Sequence, residues 1–223
     1  MRKLFYSAVL GVAIFSTFAN AQDAKMAGDT GMKDGITKSV SAEDAARTAL
    51  NVGAKMPSFT LNDSLGKPVS SADLLKQGNL VVVFYRGAWC PFCNTYLHKL
   101  QKSLPKITEN GGRLVAISVE NADRSMAVAK KNDLNFTVLS DPSLNVARSF
   151  GIVYQLSDET NEKYKGFGLD LAKYNQTEKA ELPISATYVV SKTGEIVYAF
   201  IEPDYKKRAE PEVIVQTLVK LKK

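Results

Sequence analysis

The run Val81-Val82-Val83-Phe84-Tyr85-Arg86-Gly87-Ala88-Trp89-Cys90-Pro91-Phe92-Cys93 constrains this chain more than any other stretch. Its apolar, β-branched first half reads as a buried strand. The run breaks at Arg86-Gly87 and ends in Cys-x-x-Cys, with Pro91 just after the first cysteine. Proline suits the first position of a helix, where its missing N–H is no loss. Cys90 is therefore predicted at a helix N-terminus, with Cys93 three residues on and on the same face. These are the only two cysteines in 223 residues. Sulfurs so placed can form a disulfide with little backbone movement. The unpaired N–H groups of the first turn favour a thiolate and lower its pKa. Strand, turn, Cys-x-x-Cys and helix together predict a redox-active thiol site.

Two other roles for the cysteines fit less well. A zinc site needs about four ligands, usually two such pairs or added histidines. The chain has two Cys and one His. A purely structural disulfide stabilises most when it closes a long loop, and a two-residue spacer closes a short one. No metal and no cofactor are expected.

The N-terminus reads as a targeting segment. Arg2 and Lys3 form a basic start, Leu4 to Phe18 is mostly apolar, and Ala19-Asn20-Ala21 fits a small-x-small cleavage site. The apolar run is short for a membrane span of about 20 residues and contains Ser7, Ser16 and Thr17. Residues 1–21 are thus expected to be a cleaved signal peptide, and the protein periplasmic or secreted, with no stable membrane anchor. Cleavage removes Arg2 and Lys3 and no acid, so the formal charge falls from +6 to +4. The remaining positive charge is scattered without an aromatic-interleaved basic stripe, and nucleic acid is not an expected partner. An exported protein with a single close thiol pair points to redox activity rather than a disulfide scaffold.

Residues 22–40 are small, polar and Gly-rich and read as a flexible linker, Met26 and Met32 included. Residues 41–223 form one expected domain. Ser41 opens a short helix over 41–50. Short strands follow at 57–61 and near Val69, then a helix capped by Ser71. The central strand spans 80–85 and a helix spans 91–109, with Leu97, Leu100 and Leu104 at helical spacing. Strand 113–119, helix 123–132 and strand 136–139 come next, then a helix from Asp141-Pro142 to Phe150, stopped by Gly151. Residues 152–182 are Tyr-, Lys- and Glu-rich, with one predicted helix at 158–165. Strands 187–190 and 195–201 are joined by Lys192-Thr193-Gly194, a hairpin signal. Helix 210–221 ends the chain. Alternating elements followed by a hairpin call for an α/β fold, with a central mixed sheet flanked by helices on both faces.

Several segments together resemble one family. They are Val52-Gly53-Ala54-Lys55-Met56-Pro57-Ser58-Phe59-Thr60-Leu61, Phe84-Tyr85-Arg86-Gly87-Ala88-Trp89-Cys90-Pro91-Phe92-Cys93-Asn94, Leu139-Ser140-Asp141-Pro142 and Phe150-Gly151. Leu182-Pro183 and Glu202-Pro203-Asp204-Tyr205 belong to the same set. From about residue 50 onward the chain resembles the alkyl hydroperoxide reductase / thiol-specific antioxidant family, the peroxiredoxin-like branch of the thioredoxin-fold superfamily. The resemblance implies a thioredoxin-like fold and a thiol peroxidase. It implies a hydroperoxide substrate and an external thiol reductant, either a thioredoxin-like protein or a small thiol. Peroxiredoxins carry Pro-x-x-x-Thr-x-x-Cys at this loop. An ungapped alignment puts that Pro on Arg86, the Thr on Cys90 and the peroxidatic Cys on Cys93. The fold's usual cis-proline position falls on Ser185, with Pro183 two residues before it.

The physical reading of the loop favours Cys90 as nucleophile, outermost and next to Arg86 and Trp89, whereas the alignment favours Cys93. Both stay open for peroxide. The candidate catalytic residues are Cys90, Cys93 and Arg86, the last as a fixed cation that favours a thiolate. Trp89 and Tyr85 are the candidate substrate-binding residues, Trp89 covering the loop and excluding water. His98 lies on the helix eight residues after Cys90, roughly 80° around the axis, and reads as solvent-facing. Glu120 and Asp123 could line the cleft, although Asp123 also reads as a helix N-terminal acid. An exported hydroperoxide reductase is the leading expectation. The alternative is a periplasmic thiol–disulfide oxidoreductase acting on proteins, and a non-catalytic binding module comes last.

Overall fold

The structure is a computed structural model that describes residues 40–175 and 177–222. The expected signal peptide, and the expected linker up to residue 39, lie outside the described residues. Chain order gives α1 (Ala42–Thr48), β1 (Thr60–Asp63), β2 (Pro68–Ser70), α2 (Ser71–Gln77), β3 (Asn79–Phe84), α3 (Pro91–Glu109) and β4 (Gly112–Ser118). Then come α4 (Ala122–Lys131), β5 (Thr137–Ser140), α5 (Asn145–Ser149), β6 (Val153–Gln155), α6 (Asp158–Gly166) and α7 (Leu171–Asn175). The rest is β7 (Glu181–Pro183), β8 (Ser185–Val190), β9 (Ile196–Glu202) and α8 (Pro211–Leu221).

Seven strands form one mixed sheet in the order β2-β1-β5-β4-β3-β8-β9. β3 runs parallel to β4 and antiparallel to β8, with Val82 opposite Val115 on one side and Tyr188 on the other. Every residue of β3 is buried, which explains why its sequence is a continuous apolar run rather than an alternation. Successive side chains still point to opposite faces. Leu80, Val82 and Phe84 join the layer of Leu139, Phe150 and Tyr188. Val81, Val83 and Tyr85 join the layer of Cys90, Cys93, Leu97, Leu100, Ile214 and Leu218. The second layer is where α3 and α8 cover the sheet, so the core on that face comes directly against the thiols. Complete burial of each aliphatic side chain stabilises the fold by about 1.5–3 kcal/mol.

Among the boundaries that differ from the sequence expectation, three lie at α2, α5 and β1. α2 is capped by Ser70, whose Oγ accepts from the Ala72 N–H at 3.2 Å, and not by Ser71. The Ser71 Oγ instead accepts from the Phe59 N–H at 3.0 Å, which ties the segment before β1 to α2. The helix expected from Asp141-Pro142 begins only at Asn145. The Asp141 carboxylate still serves it, accepting from the N–H groups of Val146 (3.3 Å) and Ala147 (2.9 Å). The first strand lies at 60–63 rather than 57–61. Residues 152–182 hold two elements with no clear sequence signal, α7 and the antiparallel pair β6–β7. All peptide bonds among the described residues are trans, that of Ser185 included. No helix among the described residues is long and apolar enough to cross a membrane.

Candidate active site

The thiols sit where β3 gives way to α3. The Tyr85 N–H still donates to the Ile117 carbonyl at 3.0 Å, so sheet pairing reaches one residue past the strand. The chain then turns at Gly87, whose φ is 145°. A Cβ there would lie 2.6 Å from Trp89 Nε1 and 3.2 Å from Glu120 Cδ, so only glycine fits this conformation. The turn is pinned from two directions. The Ala88 N–H donates to Glu120 Oε2 at 2.9 Å, and Asn94 Nδ2 donates to the Ala88 carbonyl at 2.7 Å. Glu120 Oε1 accepts from the Tyr174 hydroxyl at 2.9 Å. Burial pushes the Glu120 pKa up, against the pull of the Tyr174 and Ala88 hydrogen bonds.

Cys90 is the N-cap residue of α3 with an extended backbone, and Pro91 takes the first helical position. Both cysteines are unbridged. Both sulfurs are buried, Cys90 at 1% exposed and Cys93 at 0%, so the difference in solvent access expected from the helix start is small. Tyr164 packs against Trp89 and Tyr205 against Phe92, which closes off the helix start. The electrostatic difference is large. Cys90 is held down at about 6, first by hydrogen bonding from Cys93 and, against its own burial, by the Cys93 N–H, Arg86 and Arg208. Cys93 is pushed up by burial and by its hydrogen bond and charge interaction with Cys90, with Arg208 opposing. The thiolate therefore resides on Cys90.

Arg86 is 3% exposed. Its Nη2 donates to the Tyr164 hydroxyl at 2.7 Å. Its guanidinium lies 4.2 Å from the Tyr205 ring centre and 4.7 Å from that of Trp89. Among the described residues no carboxylate pairs with it within 4.0 Å. A cavity of about 270 Å³, lined in part by Tyr154, Tyr164 and Tyr205, opens beside Arg86. Trp89 is half-buried and meets Tyr164 edge-on at 5.8 Å, so it packs against the side chains that hold Arg86. Tyr85 is enclosed in the layer beneath the thiols, its hydroxyl without a hydrogen-bond partner. It does not face the open cavity.

On the opposite side, Arg208 Nη2 donates to Cys93 Sγ at 3.4 Å. A wider cavity of about 610 Å³ lies there, with Phe92, Tyr96 and Phe200 among its lining and Lys99, Lys206, Lys207 and Arg208 as its cations. His98 and Asp123 are exposed on their helices. No cluster of three or more His, Cys, Asp or Glu among the described residues could hold a metal ion. The sequence reading assigned no role to Tyr164, Tyr174, Tyr205, Asn94 or Arg208. Tyr205 and Asn94 stood within the resembling segments, which was the one signal pointing to them.

Residues 52–199 match the model of the AhpC/TSA family. The chain belongs to that family. Among its relatives, the chloroplastic peroxiredoxin Q of Sedum lineare is 30% identical over 169 residues, covering 76% of each chain. A putative peroxiredoxin of Mycobacterium tuberculosis is 30% identical over 152 residues, 68% of this chain and 85% of the relative. Among solved structures, peroxidoxin BcpB of Mycobacterium tuberculosis superposes with a TM-score of 0.60 at 20% identity, over 76% of this chain and 96% of the other. Peroxiredoxin Q of Xanthomonas campestris gives 0.60 at 16% identity, over 79% and 98%. The fold is thioredoxin-like, as the sequence resemblance implied. This family member is a thiol peroxidase, an oxidoreductase of the peroxiredoxin Q/Bcp kind. The relatives do not favour the protein-disulfide exchange reading.

Proposed function

We propose that this family member is an exported hydroperoxide reductase that works through both of its cysteines, with Cys90 as the attacking sulfur. One observation carries the reading. A buried arginine, Arg86, and a half-buried one, Arg208, flank the only two sulfhydryls, and neither has a carboxylate partner among the described residues. A buried guanidinium without a counter-ion is costly. A thiolate between the two supplies the missing negative charge.

The chemistry follows from that charge. The Cys90 thiolate attacks the distal oxygen of a hydroperoxide, the O–O bond breaks, and its electron pair leaves on the other oxygen as hydroxide or alkoxide. Arg86 stabilises that developing charge. Cys90 is then a sulfenic acid. Cys93, three residues on, displaces water from it and closes a disulfide. An external thiol, from a thioredoxin-like protein or a small molecule, restores both sulfhydryls by exchange. Trp89 and the tyrosines around Arg86 shelter the sulfenic acid from further oxidation.

The test uses stoichiometric peroxide on Cys90→Ser and Cys93→Ser, with a dimedone-type probe for sulfenic acid. Rapid labelling of Cys93→Ser and none of Cys90→Ser is the expected pattern. The reverse pattern makes Cys93 the attacking sulfur, as the ungapped alignment has it. Alkylation of the wild-type chain before and after peroxide should show two free thiols becoming none in a monomer. Export is tested by intact mass. The exported chain should begin at Gln22, and a mass that includes residues 1–21 would sink that part of the reading.

A further inference from the structure

Arg208 belongs to the loop between β9 and α8, 115 residues from Cys93 in sequence, yet its Nη2 lies 3.4 Å from the Cys93 sulfur. The other terminal nitrogen, Nη1, donates to the carbonyls of Tyr205 and Lys207 in the same loop. Its guanidinium carbon stands 5.8 Å from the Tyr96 ring centre, and its Nε is buried without a partner. The loop carbonyls thus fix the guanidinium with one N–H aimed at a sulfur. Arg86 is held differently, by Tyr164 and two aromatic faces, on the Cys90 side.

We propose that Arg208 is a further catalytic residue, which stabilises Cys93 Sγ as the leaving group when an external thiol opens the Cys90–Cys93 disulfide. The proposal rests on the reading that the two cysteines form that disulfide. In the step, a thiolate of the reductant attacks Cys90 Sγ and a new S–S bond forms. The Cys90–Cys93 bond breaks, and its electron pair goes to Cys93 Sγ. The Arg208 N–H already points at the atom that gains the charge, so little reorganisation is needed. A second reductant thiolate attacks the reductant's sulfur in the mixed disulfide and releases Cys90 as thiolate. Two thiols of the reductant are oxidised to one disulfide, and the protein disulfide is reduced. A proton from solvent returns Cys93 to its thiol form.

The step needs such a group because the surroundings of Cys93 oppose a negative charge. Cys90 lies on the same helix start, Tyr85 and Glu120 come from the ends of β3 and β4, and Tyr154 comes from β6. Of the groups facing Cys93, only Arg208 touches the sulfur with a positive charge. Exchange rates depend on how well the departing sulfur carries charge.

The experiment follows the full chain, oxidised with one equivalent of peroxide and then reduced with dithiothreitol, in wild type, Arg208→Met and Arg208→Lys. Arg208→Met should slow disulfide opening about 10-fold or more, with a smaller effect on the peroxide step. Arg208→Lys, which keeps the charge and loses the fork, should recover part of the rate. It also carries the test should Arg208→Met fail to fold. In a Cys90→Ser background, Arg208→Met should move the alkylation midpoint of Cys93 to higher pH, which a loop tie alone would not do. An unchanged midpoint together with wild-type opening overturns the role of Arg208 and leaves the cysteine pairing standing. A wild-type chain in which peroxide forms no Cys90–Cys93 disulfide overturns the pairing, and the role with it.

Discussion

Two regions meet at the thiols, and they are built in different ways. Residues 79–109 run strand, turn and helix, and place Cys90, Cys93 and Arg86 mainly through local geometry, with Glu120 pinning the turn. Residues 152–182, built of short elements, and the β9–α8 loop deliver Tyr154, Tyr164 and Tyr205 to Arg86 and Arg208 to Cys93. The first region sets where the sulfurs are. The second sets what surrounds them, and so how exposed and how charged they are. A helix N-terminus alone would leave Cys90 in water with its pKa modestly lowered. With Arg86 caged beside it and Cys93 hydrogen-bonded to it, Cys90 is 1% exposed and held at about 6.

The comparison can be broken most directly from the local side. Cys90→Ser should lower the peroxidase rate at least about 10³-fold, to the uncatalysed background. Peroxide consumption with dithiothreitol as reductant measures it, and a variant with substantial turnover would move the chemistry to Cys93. Next in size is Arg86→Met. It removes a cation that helps hold Cys90 down, so the midpoint for alkylation of Cys90 should rise above pH 6 or so. The thiolate is the reactive form, so at a fixed pH just above 6 the reactive fraction falls. The peroxidase rate should then fall about 10- to 100-fold, because transition-state stabilisation by Arg86 is lost as well. Activity that is recovered fully by raising the pH would show that Arg86 acts on the thiolate and not on the peroxide.

The distant region is tested by smaller effects. Tyr164→Phe keeps the ring against Trp89 and removes the hydroxyl that accepts from Arg86. A loss of about threefold to tenfold in rate is expected, equivalent to about 1 kcal/mol, the net worth of one ordinary hydrogen bond. Wild-type kinetics in Tyr164→Phe would reduce residues 152–182 to a cover. His98→Ala should change nothing measurable, since the side chain is exposed on the outer face of α3. A fall in rate there would show that a group outside both regions moves the proton.

Much of the first region was legible in the sequence because its signals are local. A β-branched run, a glycine at a turn, a proline at a helix start and leucines at helical spacing each act within a few residues. The limits of α3 agree with the sequence expectation, and β3 differs from it by one residue. The two-stranded pair β6–β7 and the helix α7 were not legible. Strands of three residues and a helix of five have too few positions to show a period. Ser71 looked like a helix cap because cap propensity is local, but its hydroxyl was already engaged by Phe59 across 12 residues.

The cysteine spacing, the arginine beside it and the family-like segments were enough, from the sequence by itself, to determine a thioredoxin-like fold and a thiol chemistry. Only the tertiary structure decided that both sulfurs are buried, that Arg86 sits among aromatic rings, and that a second arginine reaches Cys93. The reason is physical. Secondary structure depends on neighbours along the chain, whereas burial and pKa depend on neighbours in space. Arg208 and Cys93 become neighbours only when β9 and α8 close over the helix start.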